Sequence, residues 1–161
     1  MKKIKEIEEA AIKLHYVIEN SFTNKPTGIC YLLGHCMSEV LKAKGFKSRK
    51  VTGHLALLCR NNRYVVYGGL RLKGTNVGDY HTWCEVDVDG VKYIVDSSIG
   101  SNNTGLRMHK PSIKIDKEIP DILITNEPVT YKYKYYEDEK LEHLSLFFLD
   151  KVSIDALDEI I

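Results

Sequence analysis

Apolar residues at Ile4, Ile7, Ala11, Leu14 and Ile18 recur at steps of three and four, with lysine and glutamate between them. That period gives a helix one apolar face and predicts an amphipathic helix over about residues 2 to 19. The stretch SFTNKPTG (21–28) then reads as a loop, because proline and glycine both interrupt regular structure. A second helix is expected from about residue 29 to 44. Leu33, Cys36, Met37, Val40 and Leu41 form its apolar face, and Gly45 ends it. From there the period shortens. RKVTGHLALLC (49–59) and RYVVYGGLRL (63–72) read as strands joined by a polar RNNR turn. Beyond Gly100, GSNNTGLRMHKPS reads as a loop, and DILIT and VTYKYKYY read as strands. LEHLSLFFL fits either state, and Ser153 is placed to cap a last helix carrying Ile154, Leu157 and Ile160.

The segment YHTWCEVDVDGVKYIVDSS (80–98) specifies more than its elements. Asp89-Gly90 between two alternating runs predicts a two-residue hairpin turn, since both positions need positive φ. The turn then opposes Val88 to Val91, Val86 to Tyr93 and Cys84 to Val95, three apolar pairs on one face. On the other face Asp87 opposes Lys92, and a slip by one residue would spoil both faces. His81, Trp83 and Asp96 share that second face, with Asp96 opposite Trp83 and diagonal to His81. Diagonal neighbours lie roughly 7–8 Å apart, so a carboxylate there can reach an imidazole nitrogen. Cys84 points to the opposite face, which keeps it and His81 from binding one metal. With no CxxC pair in the chain, neither a metal nor a cofactor is expected.

Composition narrows the function classes. The 161 residues suit one domain with a sizeable core. The 23 basic and 22 acidic side chains leave a formal charge of +1, which favours neither nucleic acid nor an anionic membrane as partner. YKYKYY could stack bases, but lysines guarding an exposed strand explain it as well. Charges run through the first twenty residues, so they predict neither an export signal nor a membrane span. Four scattered cysteines (30, 36, 59 and 84) then point to reduced thiols and a cytoplasmic protein.

Cys30 alone of the four stands at a helix start, just after Gly28. Unpaired N–H groups and the helix dipole favour a thiolate there, and the Cys30 N–H can donate to a developing oxyanion. Together with His81 and Asp96 this is the donor set of cysteine acyl transfer. In GIC (28–30), the helix running to KGFKSRKVTGH (44–54), and YHTWCEVDVDGVKYIVDSS, the sequence resembles the transglutaminase-like superfamily of papain-type cysteine enzymes. The resemblance spans roughly residues 28–98. It implies an α+β fold with the nucleophile helix packed on an antiparallel sheet, catalytic residues near 20–100, and a partly β extension over 101–161. It also implies Cys30 as nucleophile, His81 as general base and acid, and Asp96 as the orienting carboxylate, acting on a peptide or protein substrate. Proteolysis, deamidation and cross-linking all use this set. Ser97 stands where the family has a proline, and Lys47-Ser48 where it has Pro-Ala. Trp83 either walls the cleft or fills a gap, His54 could line the substrate side, and Asn20 and Asn24 are candidates for a second oxyanion donor. The alternative is a fold of this class kept as a binding module with an idle triad. Acetyl transfer to arylamines ranks below both, since NKPTGIC lacks the Arg-Gly-Gly that precedes the cysteine in that family.

Overall fold

A computed structural model describes residues 2–20 and 30–145. The two amphipathic helices form within a residue of their expected bounds, as α1 (Lys2–Asn20) and α2 (Cys30–Ala43). Among the described residues one sheet follows: β1 (Lys47–Leu58), β2 (Tyr64–Tyr67), β3 (Gly74–Gly78), β4 (His81–Val88), β5 (Val91–Asp96), β6 (Leu123–Thr125) and β7 (Tyr133–Glu137). Every pairing is antiparallel except β2 with β3. A third helix, α3 (Ile99–His109), separates β5 from β6, and a 3-10 turn (Glu139–Leu141) and α4 (Glu142–Ser145) follow β7. The class is α+β. Among the described residues no helix is long and apolar enough to cross a membrane.

The organising strand is β1. Leu55 pairs with Tyr67 on one edge and Tyr135 on the other, while Gly53 pairs with His81 and Glu137. One edge of β1 therefore carries β4 along residues 47–53 and β2 along 55–58, and β7 runs on the opposite edge. The end of β2 and the start of β4 meet midway along β1, and His81 stands at that junction. The run β7–β1–β4–β5–β6 curls, because the Tyr133 hydroxyl of β7 donates to Thr125 Oγ1 of β6 at 2.9 Å.

Alternation along β4 divides the interior. Cys84, Val86 and Val88 join α1 and α2 in one core, with Ile7, Leu14, Leu33 and Leu41 nearly inaccessible to solvent. Burying each such side chain contributes about 1.5–3 kcal/mol relative to exposure. Trp83 faces a second core with Val51, Leu55, Leu57, Ile99 and Tyr135.

The hairpin has the expected register, Cys84 to Val95, Val86 to Tyr93 and Val88 to Val91. Its turn residues Asp89 and Gly90 sit at φ 54° and 85°. The opposed Asp87 and Lys92 do not form an ion pair. Asp87 accepts the Gly90 N–H at 2.9 Å, and Lys92 lies 3.9 Å from Glu85.

Three expectations change. The supposed loop after Ile99 is helical, anchored by Ile99 and Leu106, two buried residues seven apart that are too few to print a helical period. The second strand stops at Tyr67, where Gly68 (φ 103°) turns the chain, and Gly74–Gly78 then adds a parallel strand. LEHLSLFFL begins as helix through Ser145. Its remainder and the helix expected at Ser153 lie outside the described residues.

Candidate active site

The helix α2 brings Cys30 to the sheet by a close approach. A Cβ on Gly34, one turn after Cys30, would stand 2.9 Å from the Thr82 methyl and 3.3 Å from the Trp83 backbone. Only the missing side chain lets α2 lie this near β4. Cys30, the first residue of α2, is 6% exposed and reaches the strand end where His81 begins β4.

His81 and Asp96 are 0% and 1% exposed. The imidazole Nε2–H donates to Asp96 Oδ2 at 2.7 Å. The same oxygen accepts the Tyr135 hydroxyl at 2.7 Å. Oδ1 accepts the Ser98 hydroxyl at 2.7 Å and the Ser98 N–H at 3.0 Å. Ser98 stands at the N-cap of α3 but makes no side-chain cap bond.

The second imidazole nitrogen, Nδ1, is buried with no hydrogen-bond partner among the described residues. Burial by itself disfavours the charged imidazolium. The Asp96 charge and hydrogen bond, then a side-chain interaction and charge from Cys30, outweigh it and push the His81 pKa up to about 10. With Nε2 committed to Asp96, Nδ1 is the nitrogen left for the Cys30 thiol. Burial pushes the Asp96 carboxyl up, yet the imidazolium and the bonds from His81, Tyr135 and Ser98 hold it below its ordinary value. The pair is therefore imidazolium and carboxylate. By contrast, burial pushes the Cys36 thiol up to about 12 and raises Cys59 and Cys84 as well, so all three favour the inert thiol.

Aromatic rings hold the imidazole in place. Trp83 stacks on it at 6.1 Å and 20°, with Tyr67 tilted at 5.6 Å and Tyr135 at 6.2 Å. Trp83 and Tyr135 meet edge to face at 5.1 Å.

Cys30, His81 and Asp96 thus converge from α2, β4 and β5. Trp83, only 3% exposed, fills the space beneath the imidazole. His54 takes a different place: its Nδ1 accepts the Gly69 N–H at 2.8 Å and its Nε2–H donates to Asp138 at 3.0 Å. Those bonds fix one neutral tautomer and tie β1 to two neighbouring segments. Asn20 ends α1, its side chain lies outside the described residues, and so does Asn24. Sequence reasoning missed Ser98 and Tyr135. The alternation of tyrosine with lysine in VTYKYKYY, read above as an exposed strand, could have suggested an inward Tyr135, but nothing local reports which carboxylate lies 39 residues earlier and across the sheet.

No family model matches this chain. No curated protein matches it either. A solved crystal structure, described only as that of a genomics target, superposes with a TM-score of 0.57 at 11% identity. The match covers 94% of this chain and 77% of that one. At this identity the likeness is one of fold.

Proposed function

We propose that the chain is a cysteine-dependent acyl-transfer enzyme of the transglutaminase-like, papain-type class, acting on amide bonds of a peptide or protein. The contact sequence from Cys30 through His81 to Asp96 carries this reading. Cys30 Sγ, its proton passed to His81 Nδ1, attacks the amide carbonyl carbon. The carbonyl electron pair moves onto oxygen, to which the Cys30 backbone N–H at the start of α2 donates in this reading. Collapse breaks the C–N bond as Nδ1–H protonates the leaving amine, and a thioester remains on Cys30. Water or an amine then attacks the thioester and gives its proton to Nδ1, and the C–S bond breaks to leave the sulfur anion beside the imidazolium, as at the start. Asp96 stays ionised throughout and holds the ring in orientation. Water as acceptor makes the enzyme a protease or deamidase, and an amine makes it a transglutaminase.

The unfilled Nδ1 supports a second reading, a binding module of this class with an idle triad. Iodoacetamide separates the two. In the acyl-transfer reading Cys30 is alkylated far faster than Cys36, Cys59 or Cys84 at neutral pH, and turnover on a panel of amide substrates disappears in Cys30→Ala. Equal labelling of the four thiols, or turnover that survives Cys30→Ala, rejects it.

A further inference from the structure

Inside the curl of the sheet lies a cavity of about 310 Å³, bounded by β1, β4, β5, β7 and the β6–β7 connection. Val51, Trp83, Ile94, Pro128 and Tyr135 supply its apolar and aromatic lining. Its size falls at the small end of the roughly 300–1,000 Å³ typical of ligand pockets, and the mouth of a curled sheet is a usual place for one. The charges around it answer one another. Glu137 accepts two bonds from Arg49 at 2.8 Å each, and Glu85 accepts Arg49 Nε at 3.0 Å with Lys92 at 3.9 Å. A charged guest would find no unpaired partner here. A flat, uncharged one would find two aromatic walls with the edge-and-face geometry that aromatic rings prefer.

Those walls are the residues that hold the catalytic pair. Trp83 stacks on His81, and Tyr135 donates to Asp96. We propose that this cavity binds a small, uncharged, planar aromatic molecule, and that its occupant acts on the His81–Asp96 pair through Trp83 and Tyr135. Binding is independent of the chemistry at Cys30; an effect on turnover rests on the acyl-transfer reading.

Trp83 is the chain's sole tryptophan, so its fluorescence reports the cavity directly. Nitrobenzene, planar and uncharged, is the probe, and iodide is the charged control. The expected result is saturable quenching by nitrobenzene and weak quenching by iodide. The His81 Cε1–H resonance, assigned by its loss in His81→Gln, should shift along the same saturation curve. Asn126→Phe, at an exposed position of the lining, should abolish saturation, and Val51→Phe, deeper in the cavity, should do the same. Strictly linear quenching of the wild-type chain, or saturation unchanged in both variants, overturns the binding site. Saturable quenching with an unmoved His81 resonance overturns the coupling. Iodoacetamide labelling of the same samples keeps the two readings apart, because an inert Cys30 beside saturable quenching ends the acyl-transfer reading and leaves the cavity site standing.

Discussion

Asp96 owes its ionised state first to the charge and hydrogen bond of His81, and then to the donors Tyr135 and Ser98. Removing the Tyr135 hydroxyl in Tyr135→Phe leaves Oδ2 with His81 alone, at a cost of about 1–3 kcal/mol for a buried group losing a partner. The depressed Asp96 pKa contributes stability that is present above its unfolded value of 3.8 and lost as pH falls through the lower folded value. In Tyr135→Phe the carboxyl is less depressed, so the acid loss starts from the same unfolded value but ends at higher pH and is smaller, readable as a shallower fall of the urea midpoint below about pH 4. His81 has the opposite sign. Its raised pKa contributes stability present in full below 6.5 and lost as pH rises toward about 10. The urea midpoint should fall over that alkaline interval, and Asp96→Asn should flatten the fall. The positions of Cys30, His81 and Asp96 were legible because each sits in a short local block: a helix start, a strand start, a hairpin end. Tyr135 was not, because a hydrogen bond between elements 39 residues apart leaves no mark on local periodicity, and Ser98, two residues from Asp96, has nothing in its local pattern that separates it from an ordinary turn residue.

At the level of elements, the placement of α2 decides whether a thiol and an imidazole meet. Gly34→Val puts branched bulk where a single added carbon already stands 2.9 Å from Thr82. The helix must lift from β4, costing about 1–3 kcal/mol in overpacking and carrying Cys30 away from His81. The Cys30 alkylation rate should therefore drop well beyond what the loss of stability explains, measured under conditions where the variant remains folded. Other fastenings matter less. The Arg49 pairs with Glu85 and Glu137 lie on the surface, where such bridges are worth about 0–1 kcal/mol, so Arg49→Ala should barely move the urea midpoint. Helices α1 and α2 and the hairpin were readable because strong periods and a forced turn specify them. The helix α3 was not, since Ile99 and Leu106 are its apolar residues shown buried and its other buried positions, Ser101 and Asn102, are polar.

Across the whole molecule, β4 belongs to both cores, sending alternate side chains to each. The two cores should accordingly melt together. Far-ultraviolet circular dichroism, dominated by α1 and α2, and Trp83 fluorescence, reporting the second core, should give coincident transitions. Leu33→Ala in one core and Leu57→Ala in the other should each cost about 2–5 kcal/mol and lower both signals equally. The order of strands was less visible than their existence. That β1 takes three partners and that β2 pairs in parallel with β3 are long-range choices, made by loop geometry and shared burial.

The strand that supplies Tyr135 also sets a limit on trimming. A fragment ending soon after the hairpin would retain Cys30, His81 and Asp96, and by motif alone would look sufficient. It would also strip one flank of β1 of its hydrogen bonds and leave that edge free to recruit another chain. Such a fragment is expected to precipitate before it can be assayed, and trimming from the other end fares no better, since α1 carries the buried Ile7, Leu14 and Ile18.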